Sequence, residues 1–79
     1  MDELELRLLR LFDDLRKDRL DLHAFFDLVG GNRPADQRLV LAAVERLITQ
    51  GCLEEKGNDF YARTDAGRRA CLPQAGRAR

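Results

Sequence analysis

Leu4, Leu8, Leu11, Phe12 and Leu15 recur at spacings of three and four, with Asp, Glu and Arg between them. Such spacing places them on one face of a helix and predicts an amphipathic helix over residues 2–17. Asp2, Glu3 and Glu5 at its start and Arg16 and Lys17 at its end lie where the helix dipole favours them. Leu6 and Leu9 widen the apolar surface beyond a single stripe. Two readings of that excess stay open: a larger intramolecular core, or a surface through which two copies pair as a homodimer. Leu20 and Leu22 alternate with polar residues and predict a brief strand. A second helix follows over about residues 22–29, capped by Asp21, with Phe25, Phe26, Leu28 and Val29 on its buried side. Gly30-Gly31-Asn32 ends it.

Pro34 suits the first turn of a third helix, where its missing N–H costs nothing, and Asp36 adds negative charge at the same end. Val40, Ala43, Val44, Leu47 and Ile48 form the inward stripe of this helix, which leaves Gln37, Arg38, Leu41, Glu45, Arg46, Thr49 and Gln50 nearer the outside. Leu41 is either at the edge of that stripe or an exposed contact to a partner. Gly51 closes the helix in a residue tolerant of positive φ. Cys52 and Leu53 then lead a short strand, Gly57-Asn58 supplies a tight hairpin turn, and Asp59 to Arg63 form the returning strand. Thr64 offers its side-chain oxygen to the N–H groups of a final short helix. The predicted class is α+β, mostly α: a winged helix-turn-helix with a three-helix core, a β-hairpin wing and a short C-terminal helix. The domain is expected to span residues 1–72, with residues 73–79 as a basic, flexible tail. One core should unite Val40, Val44, Leu47, Ile48, Leu53 and Tyr61 with Leu8, Leu11, Phe25 and Leu28.

Composition narrows the function classes. A chain of 79 residues makes one small domain, of a size that buries only about 60% of its unfolded surface. No apolar run approaches the roughly 20 residues needed to span a bilayer, and no signal-peptide pattern occurs, so a cytoplasmic protein without membrane contact is expected. His23 is the sole histidine, and Cys52 and Cys71 stand apart without a C-x-x-C, which gives no zinc site; both read as small hydrophobes. A Gly-rich phosphate loop is absent, as is any set of nucleophile, base and orienting group, so neither catalysis nor a cofactor is expected. The formal net charge is zero, from 14 Lys and Arg against 14 Asp and Glu. Distribution therefore matters more than total charge, and residues 66–79 carry four arginines, Arg68, Arg69, Arg77 and Arg79, with no acid.

The segment Leu47-Ile48-x-x-Gly51-x-Leu53, the hairpin after it, and the close Tyr61-Ala-Arg-Thr64-Asp-Ala-Gly67-Arg-Arg resemble winged-helix domains of the MarR and PadR type. The match covers about residues 39–72. It implies the fold, with Thr64 capping and Gly67 letting the last helix approach the sheet. For function it leaves two readings, because winged helices serve both DNA and protein recognition. In the first, the chain is a small DNA-binding transcriptional regulator whose third helix, about residues 34–50, is the recognition helix. Asn32, Arg33, Gln37 and Arg38 at its start then meet phosphates and base edges, Arg toward guanine and Gln toward adenine, and Lys56 on the wing adds a phosphate contact. That wing is poorly equipped, since Lys56 stands among Glu54, Glu55 and Asp59. In the second reading the chain is a protein–protein interaction module, or a small phage-encoded modulator without DNA binding, whose partner contacts the Leu41 face.

Overall fold

The computed structural model of the chain describes residues 1–30 and 33–71. Asn32 and the expected basic tail of residues 73–79, with Arg77 and Arg79, lie outside the described residues.

The first helix, α1 (Glu3–Leu15), begins with a reciprocal cap: the Glu5 N–H donates to Asp2 Oδ1 at 2.8 Å and the Asp2 N–H to Glu5 Oε1 at 2.9 Å. It stops two residues before the predicted end. Arg16 adopts the left-handed conformation at φ 54°, and Lys17 N–H donates back to the Phe12 carbonyl at 3.0 Å, which satisfies the helix's last carbonyls in a Schellman-like close. Nothing in the composition marks Arg16 for this role, which usually falls to Gly. A three-residue strand, β1 (Arg19–Asp21), leads directly into α2 (Leu22–Leu28), whose Ala24 N–H donates to Asp21 Oδ1 at 3.1 Å, as the sequence predicts. The helix α3 (Pro34–Thr49) carries Pro34 in its first turn and closes at Gly51, φ 79°, with Cys52 N–H donating to the Leu47 carbonyl at 2.8 Å.

The hairpin β2 (Leu53–Gly57) and β3 (Phe60–Arg63) is followed by α4 (Asp65–Ala70). Its turn sits one residue later than Gly57-Asn58. Gly57 pairs with Phe60, so Asn58 and Asp59 are the two turn residues, at φ 54° and 63°. Both lie in the left-handed region that a two-residue turn of this hand requires, and Asn and Asp are the non-glycine residues that tolerate it best. A register shift between Glu55 and Gly57 leaves Lys56 as a bulge. The three strands form an antiparallel sheet in the order β1-β3-β2, with Leu20 opposite Tyr61 and Leu53 opposite Arg63.

One core joins the sheet to the helices: Leu8, Leu9, Leu11, Phe12, Leu20, Phe25, Val40, Ala43, Val44, Leu47, Leu53 and Tyr61 are all buried. Leu28 packs against it half-buried. Ile48 was expected inside and is instead 38% exposed. It lies one residue beyond Leu47 on the helix, a rotation of about 100°, and the sheet meets only the Leu47 side. Leu15, the last residue of α1, likewise ends up exposed. Leu9 is fully buried, so part of the leucine excess on α1 is used internally rather than left for a second copy. Among the described residues no helix is long and apolar enough to cross a membrane.

Thr64 and Gly67 fasten α4 to the rest. Thr64 Oγ1 donates to the Gly51 carbonyl at 2.5 Å and accepts from Gly67 N–H at 3.1 Å, while Thr64 N–H donates to the Cys52 carbonyl at 3.1 Å. Gly67 lies so close that a Cβ there would stand 2.3 Å from the Cys52 carbonyl oxygen. Burial pushes the Cys52 thiol up from its ordinary pKa, consistent with its expected place as a buried hydrophobe; Cys71 is half-buried, and both thiols are free.

Arg63 ties β3 to α1 in the same region. Its guanidinium forks onto Asp13, Nη2 to Oδ1 at 2.6 Å and Nη1 to Oδ2 at 2.9 Å, reaches the Leu9 carbonyl at 3.0 Å, and lies 5.8 Å from the centroid of the Phe12 ring. The hydrogen bond from Arg63 holds the Asp13 carboxyl below its ordinary pKa. A carboxyl whose folded pKa is depressed contributes stability above its unfolded pKa of about 3.9 and loses it as pH falls through the folded value. Asp13→Asn should therefore destabilise the domain at neutral pH and flatten the acid side of its stability profile. Urea midpoints at neutral pH and in the acid range check this, and an unchanged acid limb in the variant would count against the pair.

Candidate nucleic-acid interface

The helical period sets what α3 shows to solvent. Arg38, Glu45 and Thr49 occupy the middle of its outer face, Leu41 and Ile48 form a row seven residues apart on one flank, and Leu39 lies on the other. Leu39 is 61% and Leu41 39% exposed. Of the predicted contact residues, Arg33 is the N-cap of α3 and Gln37 and Arg38 lie in its first turns, in three different states. Arg33 donates from Nε to Asp36 Oδ2 at 3.1 Å, a pair whose Arg side chain is 83% exposed. Gln37 is half-buried. Arg38 is exposed and forms no ion pair among the described residues.

Lys56, the fifth predicted residue, is not at the tip of the hairpin, which Asn58 and Asp59 form. Its ammonium pairs with Glu54 and holds that carboxyl below its ordinary pKa. No bond or cavity among the described residues joins Lys56 to the start of α3. Instead it lines a cavity of about 330 Å³ together with Lys17, Arg19, Arg63 and Arg68. These cations arrive from the close of α1, the start of β1, the bulge of β2, the end of β3 and the middle of α4. Charge counted along the chain dilutes them, since each stretch contributes one or two beside its own acids. Only the fold gathers them around one cavity: the strand register sets Arg19 and Glu54 on either side of Ala62, while Arg63 reaches in from the core face, Lys17 from the close of α1 and Arg68 from α4.

Elsewhere the chemistry is structural. Glu5 is buried at the junction of α1 and α3, where Oε2 accepts from Arg46 Nε at 3.2 Å and from Gln50 Nε2 at 3.3 Å. These bonds, with the cap to Asp2, satisfy its carboxylate within the fold. His23 is exposed, and among the described residues no three His, Cys, Asp or Glu side chains are grouped to hold a metal ion.

No family model, curated protein or solved structure matches the chain.

Proposed function

We propose that the chain is a winged helix-turn-helix domain of the MarR/PadR type that binds duplex DNA through the start of α3. The observation that carries the reading is the placement of Arg38 on the outer face of α3. Two features support it: α3 follows α2 as the second member of a helix pair, and a hairpin packed into the β1-β3-β2 sheet comes next. An exposed arginine on that face has the fork geometry that reads guanine, and Gln37 beside it has the amide that reads adenine. The Arg33–Asp36 pair does not withdraw Arg33, because surface ion pairs contribute only about 0 to 1 kcal/mol and a phosphate competes with them readily. Fluorescence anisotropy against random and genomic duplexes tests the proposal. Arg38→Ala should weaken the preferred sequence by roughly 1 to 3 kcal/mol relative to random duplex. Absence of binding at about 50 mM salt, where non-specific attraction already suffices, would sink it.

A protein-binding winged helix is the second reading, and a specific observation favours it: Leu39, Leu41 and Ile48 are all exposed on α3, with Glu45 on the face between the flanks. An acid and two leucines suit a protein surface better than a phosphate backbone. This reading predicts no response to duplex and loss of partner binding in Leu41→Glu.

A further inference from the structure

The cavity beside Ala62 has features that the reading of α3 does not use. Among the described residues, five Lys and Arg side chains of a chain without net charge line it, Lys17, Arg19, Lys56, Arg63 and Arg68, with Asp18 the one acid in its wall. Two of the five are already engaged, Arg63 by Asp13 and Lys56 by Glu54. Lys17, Arg19 and Arg68 remain, and after subtracting Asp18 the wall keeps an excess of two positive charges (three less one). Like charges collected around a concavity repel one another, an arrangement that an incoming anion relieves.

The floor of the cavity is as informative as its rim. Ala62 stands on the central strand with Arg19 opposite it on one side and Glu54 on the other. Its methyl group leaves space between long side chains that rise from both neighbouring strands. The 330 Å³ lies in the range of about 300 to 1,000 Å³ typical of small-ligand sites. Arg63 builds the inner wall: its side chain is only 8% exposed and locked by Asp13 and the Leu9 carbonyl, while its covered Nε meets no acceptor among the described residues. A rigid, buried guanidinium behind movable surface cations suits an anion that needs both fixed position and several donors.

We infer that this cavity binds a phosphate group, held by Lys17, Arg19 and Arg68 over the Ala62 floor. The group belongs either to a nucleic-acid backbone or to a free phosphate ester. The inference stands apart from the reading of α3, since it uses none of the same residues except Lys56, whose side chain Glu54 already holds.

The test is a backbone-amide NMR titration of the full chain, first with inorganic phosphate and then with a short random duplex, at low and constant ionic strength. Saturating shifts at Lys17, Arg19, Ala62 and Arg68 are expected with at least one probe. Arg68→Gln should weaken the response roughly tenfold, the loss of one charge-assisted hydrogen bond. Ala62→Leu should abolish it by filling the floor without changing any charge. Arg10→Gln, an exposed cation on α1 outside the cavity wall, should leave it unchanged. Shifts with duplex that phosphate displaces identify a backbone phosphate as the occupant; shifts with phosphate alone identify a free ester. Non-saturating shifts with both probes, or full binding by a folded Ala62→Leu variant, overturn the site. Cavity shifts without α3 shifts would uphold this inference while removing the DNA reading, and α3 shifts alone would do the reverse.

Discussion

Replacing Phe25 with alanine should lower the free energy of unfolding by about 3 to 5 kcal/mol. The ring is fully buried and holds three elements at once: from α2 it meets Phe12 of α1 at a centroid distance of 6.0 Å and Tyr61 of β3 at 6.1 Å. Both pairs are tilted, at 59° and 41°, an arrangement that adds to simple burial. A void opened there borders a helix, a second helix and the central strand, none of which can close it without disturbing the other two. At about 0.05 to 0.15 kcal/mol per residue, a domain of this length has only some 4 to 12 kcal/mol in total, so the loss removes much of its stability. Urea unfolding followed by circular dichroism reads it directly. A shift below about 1 kcal/mol would show that the site collapses freely and that Phe25 is not the junction described.

Gly67→Ala sets two effects of opposite sign against each other. Alanine in place of glycine inside a helix is worth up to about 1 kcal/mol in favour of the variant. Against it, the new Cβ would lie 2.3 Å from the Cys52 carbonyl oxygen and 2.9 Å from Arg63 Cγ. The arginine chain can yield, but the carbonyl is backbone, and it also accepts the Thr64 N–H. Forcing such an overlap costs typically about 1 to 3 kcal/mol and sometimes more. Because the carbonyl cannot yield, the clash should win: α4 should lift from the start of β2, and the variant should be less stable by up to about 2 kcal/mol net. A thermal midpoint equal to or above that of the parent would mean that helix propensity dominates and that the contact is looser than it stands. Exposure of the Cys52 thiol to a labelling reagent offers a second readout, since α4 covers that region.

The sequence announced what depends on a few neighbouring residues. Asp21, Pro34, Gly51 and Thr64 act through their own backbone and that of the next turn, so their roles as cap, first-turn residue, stop and cap are visible without the rest of the fold. Ile48 and Leu15 were misplaced for the opposite reason. Helical spacing gives an apolar arc, but where the arc ends depends on which elements pack against it and how far they extend. Arg16 in the left-handed region is a similar case, set by the departure of the chain toward β1 rather than by its own preference. The cations around Ala62 were the least legible. They come from four separate stretches of chain, Lys17 to Arg19, Lys56, Arg63 and Arg68, and no period in the sequence connects them before the fold is known.

The pairing of β1 with β3 has a kinetic consequence. Asp21 pairs with Phe60, so this edge closes a loop that contains α2, α3 and β2, whereas β2 and β3 meet across a two-residue turn. Loop closure over such a span costs entropy before any contact repays it, and the local hairpin does not bear that cost. Loop-closure entropy therefore favours early formation of the hairpin and later addition of the three residues of β1. The same order in reverse makes β1 the seam that opens most readily: transient release of Arg19 to Asp21 would free one wall of the basic cavity while leaving α3 in place. If the contacts of β1 form after the rate-limiting step, anion occupancy at that wall should slow unfolding rather than speed folding.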